Sequence, residues 1–230
     1  MTELRNNGPD KDFVTHRKLS TAVPAALIAL AALVGCSDDS ADDHDHARHD
    51  AASSTTAAAV RPEQQDAGHR RIGQLVGEWT GEKSTFVAGG TADNPTKRAI
   101  VSRWEWIAET GNNFLREEAE DVHGSSAYYR LGLLGFSPAD NRYEWSTVDS
   151  VTPMTMTYKG AKGSGGYPDI VMAGEFTDPG VLGPQFVGKT IPMRTVIRLE
   201  SPDRVLMEIY FAAPGEPERI ADRVVLTRKK

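Results

Sequence analysis

Few residues of this chain have the types and spacing that chemistry needs. Cys36 is the single cysteine of 230 residues, so its thiol has no disulfide partner and is free only for modification. His44, His46 and His49 lie among Asp42, Asp43, Asp45 and Asp50, a donor set of imidazoles and carboxylates that suits zinc, nickel or copper. The tract around them is too polar to build a preformed cage, and a solvated linker is the simpler reading. His69 and His123 are the remaining histidines downstream, and neither stands in a Gly-x-Ser-x-Gly, His-Glu-x-x-His or phosphate-loop context. His123, beside Gly124 in an expected turn, is a weak candidate general base because no partner adjoins it.

Other candidates come in alternating rows. "YEWSTVD" puts Tyr143, Trp145, Thr147 and Asp149 on one strand face, and "MTMTY" aligns Met154, Met156 and Tyr158. "RVLMEIYF" sets Arg204, Leu206, Glu208 and Tyr210 against an apolar row of Val205, Met207, Ile209 and Phe211. Aromatics, methionines and a few polar groups describe a small-molecule pocket, and they equally describe the core and rim of a filled barrel. Trp79, Trp145, Met156, Glu208 and Arg194 are the expected lining of such a pocket. Arg194 and Glu118 are the polar candidates if the cavity is catalytic. In "FLREEAE", Arg116, Glu118 and Glu120 share a face with Phe114 and read as a solvated row. In "KRAIVSRWEWIAE", Ile100, Ser102, Trp104 and Trp106 form the core face.

The elements that must position these residues follow from pattern. Ser20 to Gly35, "STAVPAALIALAALVG", is uncharged and follows Arg17 and Lys18. A basic region, a short apolar run and small residues at its end describe a secretory signal. The run is shorter than the roughly 20 apolar residues a membrane-spanning helix needs. Leu33-Val34-Gly35-Cys36 resembles the bacterial lipobox, which implies cleavage before Cys36, a diacylglyceryl thioether on its thiol and acylation of the new N-terminus. Two or more chains would anchor the protein stably. The resemblance implies a cell-envelope location: the outer membrane's periplasmic face in a Gram-negative host, since Ser37 follows the cysteine, or the outer face of the cytoplasmic membrane in a Gram-positive one.

Residues 1–35 carry a net +1, leaving −7 of the overall −6 on the remainder. An acidic chain with no basic strip is not expected to bind nucleic acid. Residues 36–66 are low in complexity and apolar content and read as a disordered tether. From Asp66, an expected N-cap, Ile72, Leu75 and Val76 mark a short helix. Beyond Gly77 the pattern is all β: about ten short strands bounded by turn residues such as Ser137-Pro138-Ala139-Asp140-Asn141. Residues 67–230 are expected to form one antiparallel meander closed into a barrel, because closure removes exposed edges.

Three stretches carry a family resemblance. They are "HRRIGQLVGEWTGE" from His69, "RLGLLGFSPADNRYEWSTVDSVTPMTMTYKG" from Arg130, and "MRTVIRLESPDRVLMEIYFAAPGEPERIADRVVLTRK" from Met193. In that order they resemble the DUF1579 family, which implies a lipocalin-like, calycin barrel and no defined activity. "GEWTG", Gly77 to Gly81, is also similar to the opening of nitrobindin, a haem-binding barrel. Nitrobindin holds its iron with a late histidine, and residues 124–230 contain none, so no cofactor is expected. The reading ranks a module binding a small, largely apolar molecule first, a filled structural barrel second and an enzyme third.

Overall fold

Period-two alternation of large apolar with polar residues runs through the C-terminal two thirds of the chain. Strands with that pattern must bury one face. The structure, a computed structural model, describes residues 65–122 and 128–230. Cys36, the His44–His46–His49 tract, His123, the expected signal and the expected tether up to residue 64 lie outside the described residues.

A short helix α1 (Ala67–Ile72) leads into ten strands: β1 (Gly77–Thr85), β2 (Thr96–Trp106), β3 (Phe114–Asp121), β4 (Tyr129–Ser137), β5 (Arg142–Asp149), β6 (Met156–Lys159), β7 (Ile170–Thr177), β8 (Thr190–Ser201), β9 (Arg204–Phe211) and β10 (Arg219–Arg228). Each pairs antiparallel with the next, and β10 returns to pair with β1, giving a closed up-and-down barrel. It is the all-β antiparallel barrel that the alternation predicts. Among the described residues no helix is long and apolar enough to cross a membrane.

Six strands begin or end one to three residues away from expectation, and two of these shifts have a clear local reason. β8 starts at Thr190, ahead of Pro192, because a proline three residues into a strand costs only one donor near its end. β6 starts at Met156 and not Met154. The Asp149 carboxylate captures the backbone N–H groups of Val151 and Thr152 at 2.8 and 2.7 Å and holds that stretch as a turn. β6 is consequently short and meets β7 through only Tyr158↔Gly174 and Lys159↔Ala173. Gly174 is needed there, since a Cβ would lie 2.2 Å from the Thr157 carbonyl oxygen.

One end of the barrel is plugged. The Asp66 carboxylate caps α1 by accepting from the His69 backbone N–H at 2.9 Å and approaches His69 Nδ1 at 2.9 Å. The His69 ring is buried against Trp106 and Phe136, with centroids 6.4 and 5.8 Å away. Trp79 is fully buried and donates its indole N–H to the Leu75 carbonyl at 2.7 Å. Arg228 lies over the Trp79 ring at 4.1 Å and donates to the Val76 carbonyl at 2.7 Å. Leu75, Ile100, Trp104, Leu115, Leu134, Tyr143, Trp145, Ile197, Val205 and Leu226 fill the interior above this plug.

Candidate ligand cavity

The opposite end is hollow. A cavity of about 180 Å³ opens among the far ends of the strands. Its apolar wall includes Val87, Met156, Phe176, Val181, Ile209 and Phe211. Its polar groups include Lys83, Arg98, Tyr128, Arg130, Thr147, Asp149, Tyr158 and Asp222. The 178–189 loop contributes Val181 and is folded by the buried Asp178. That carboxylate accepts from the backbone of Gly180, Val181 and Leu182 at 2.8, 2.6 and 3.2 Å.

The polar groups are there by parity. In β1, Lys83 points inward in the same row as Trp79 and Gly81; in β4, Arg130 shares a row with Leu134; in β3, Glu117 sits between the inward Leu115 and Ala119. Buried charges must be paired, and here they are. Arg130 Nε and Nη2 donate to Glu117 Oε2 and Oε1 at 3.1 and 2.6 Å, a two-pronged pair in which both side chains are almost wholly buried. The guanidinium also lies 5.0 Å above the Trp145 ring. Lys83 Nζ contacts Asp222 Oδ1 and lies 5.4 Å from the Tyr128 ring centre. The same Asp222 oxygen accepts from Thr85 Oγ1 at 2.6 Å. Arg98 Nη1 donates to Asp121 Oδ2 at 2.9 Å.

Burial sets the proton affinities. It lowers the Lys83 ammonium below the usual lysine range, against the opposing pull of Asp222. It works against the charge of Arg130 as well, but Glu117 outweighs it and holds the guanidinium above its ordinary value. Burial pushes the Glu117 carboxyl up, with Arg130 opposing. Burial raises the Tyr158 phenol to about 12 and the Tyr128 phenol further, so both hydroxyls keep their protons.

The expected lining residues scatter. Met156 lies in the cavity wall. Trp79 and Trp145 point inward but belong to the filled part of the barrel, beneath the cavity. Glu208 and Arg194 do not line it. Glu208 falls between the inward Met207 and Ile209, and Arg194 between Met193 and Thr195, so both project from the outer surface. Glu208 is nonetheless covered: Arg198 Nη1, Arg223 Nε and the Tyr210 hydroxyl donate to it at 2.7, 2.9 and 2.8 Å. Arg194 pairs with Glu218 and stacks on Tyr210 at 4.0 Å. Glu118 is also on the outer face, 3.6 Å from Arg116. Lys83, Tyr128, Arg130, Glu117 and Asp222 went unselected in the sequence. The signal that finds them is a charged residue in the same parity row as buried tryptophans and leucines.

An enclosed apolar cavity of about 150 Å³ accommodates benzene, so the 180 Å³ here matches a single ring. Among the described residues no histidine lines the cavity, and His69 lies at the plugged end, beside Asp66. Nor do the described residues contain a cluster of three or more histidine, cysteine or acidic side chains placed to hold a metal.

A closed antiparallel barrel, plugged by a helix at one end and hollow at the other, defines a calycin-like protein. The chain belongs to the family described as "Protein of unknown function (DUF1579)", which matches residues 64–228. No curated protein matches it in sequence. Among solved structures, the chain is similar to Rv2717c from M. tuberculosis, with 16% identity over 72% of this chain and 99% of that one and a TM-score of 0.47. It is also similar to the S-type phycobiliprotein lyase CPES from Guillardia theta, with 11% identity over 70% of this chain and 92% of that one and a TM-score of 0.38.

Proposed function

We propose that the barrel holds a small, largely apolar molecule in its hollow end, on the outer side of a bacterial membrane to which Cys36 is anchored by lipid. The observation that carries the binding reading is the contrast between the two ends. Large side chains fill the barrel from the plug upward, yet at the other end Val87, Met156, Phe176, Val181, Ile209 and Phe211 surround open space. An apolar void left at one end of a packed core costs stability unless something fills it. The cations in its wall are each paired with a carboxylate, which favours holding a molecule over turning it over. The anchor rests on Leu33-Val34-Gly35-Cys36 after an uncharged run and a basic pair.

One preparation tests both parts. Protein taken from its native envelope without refolding is denatured and analysed by mass spectrometry. The expected result is one recurring small compound at near-stoichiometric yield and a diacylglyceryl mass on a peptide beginning at Cys36. A blank for small molecules moves the assignment to an interaction barrel. An unmodified Cys36, or a Cys36→Ala variant that still partitions with membranes, removes the anchor.

A further inference from the structure

The cavity's hydrogen-bonding inventory is lopsided. Each carboxylate in or beside it already takes at least one donor. Both Glu117 oxygens receive Arg130. Asp222 Oδ1 receives Thr85 and faces Lys83. Asp149 Oδ1 receives the Val151 N–H, the Thr152 N–H and the Thr152 hydroxyl at 2.8, 2.7 and 2.9 Å. Its donors are less fully taken up. Arg130 spends Nε and Nη2 on Glu117, while Nη1 meets no acceptor among the described residues. The Tyr128 hydroxyl, on a side chain that is buried and lines the cavity, likewise has no acceptor among the described residues. The Tyr158 hydroxyl donates to the Met156 thioether at 3.6 Å, a weak acceptor, and has the Thr147 hydroxyl beside it. These groups face the cavity, where a guest that supplies an acceptor can take them up.

The charges decide what kind of acceptor. Every cation in the wall faces a carboxylate: Lys83 with Asp222, Arg98 with Asp121, Arg130 with Glu117. An anionic guest would enter a site whose positive charge is already neutralised, and would be buried without a counter-ion. An uncharged oxygen acceptor avoids that cost and still takes the free N–H and O–H groups. The volume sets the size at about one ring with a short arm.

We propose that the cavity selects an uncharged carbonyl compound of single-ring size, whose oxygen accepts from Tyr128, Arg130 and Tyr158 while its carbon skeleton lies against Val87, Phe176 and Phe211. This inference rests on the reading that the cavity holds a small molecule. The test is calorimetric titration of the full chain with three probes of one shape: ethylbenzene, acetophenone and benzoate. Acetophenone is expected to bind about tenfold more tightly than ethylbenzene, the increment of one good hydrogen bond, and benzoate most weakly. Tyr128→Phe should remove most of that preference and leave ethylbenzene unchanged; Tyr158→Phe serves the same purpose if the first variant does not fold. Equal binding of acetophenone and ethylbenzene overturns the head-group assignment and leaves cavity binding standing. Tighter binding of benzoate overturns the charge argument. No binding of any probe overturns the cavity reading itself, and this inference with it.

Discussion

Replacing Arg130 with methionine would leave the Glu117 carboxylate, 1% exposed, buried without its guanidinium. The cost can be worked from proton affinity. A carboxylate that cannot stay charged in the fold takes up a proton, and at pH 7 this costs about 1.36 kcal/mol for each unit above an unfolded pKa of about 4.3, or about 3.7 kcal/mol. That lies within the roughly 3–5 kcal/mol seen when one partner of a buried pair is removed. The sign of the pH dependence follows. The orphaned carboxyl has a folded pKa raised above its unfolded value, so the variant regains stability as pH falls, and the deficit shrinks to about 1 kcal/mol at pH 5. The double variant Glu117→Leu/Arg130→Met leaves no buried charge and should stay within about 1 kcal/mol of the parent at both pH values. Urea unfolding followed by tryptophan fluorescence between pH 5 and 8 reads all three proteins. A small, pH-independent loss in Arg130→Met would refute the reasoning, because it would mean that water or another cation reaches Glu117. A stable double variant would also show that the pair is retained for the cavity's polarity and not for the fold.

Three further substitutions probe other parts of the barrel. Burial alone would raise the Glu208 carboxyl, but hydrogen bonds from Arg198, Tyr210 and Arg223 outweigh it and hold the group below its usual range. Its contribution is therefore present above the unfolded pKa and lost as pH falls through the folded one. Glu208→Gln should cost about 1–2 kcal/mol at pH 7 given its half-exposed arginine partners, with the gap closing below about pH 4 in thermal melts. Asp66→Ala removes the cap on His69 and should cost about 1 kcal/mol, a melting shift of about 2–4 °C. Gly132→Ala would put a Cβ 2.5 Å from Trp145 Nε1 and 2.9 Å from Glu117 Oε2, both pinned by Arg130; about 1–3 kcal/mol of destabilisation with altered tryptophan emission is expected.

The strands were legible because alternation alone dictates which face is buried, and β3, β5, β9 and β10 begin and end where the pattern does. Asp66 was legible as a cap because capping is local. The cavity was not, because charged side chains ordinarily point to water, and that expectation hides Lys83, Glu117 and Arg130 from any reading of one strand at a time. Their burial is made affordable by partners on other strands: Glu117 on β3 meets Arg130 on β4, and Lys83 on β1 meets Asp222 on β10. Which strands neighbour each other is a property of the closed sheet. Glu208 misled for the complementary reason, since its row mixes Leu206 and Tyr210 with charges and its cover is three side chains lying flat on the outer wall.

The short β6 makes the barrel mechanically uneven. Long ladders join most neighbouring strands, but the β6–β7 seam is held by two paired positions beside Tyr158. At about 0.5–1.5 kcal/mol for each hydrogen bond, parting that seam costs about 1–3 kcal/mol. On the binding reading, a guest whose entry requires parting only this seam would lose roughly 5- to 150-fold in affinity and would not be shut out. The compliance is one-sided, because the opposite end is braced by α1, Trp79 and Arg228. On the binding reading, size discrimination would be graded along one wall, and amide exchange should be fastest in β6 until a guest stiffens it.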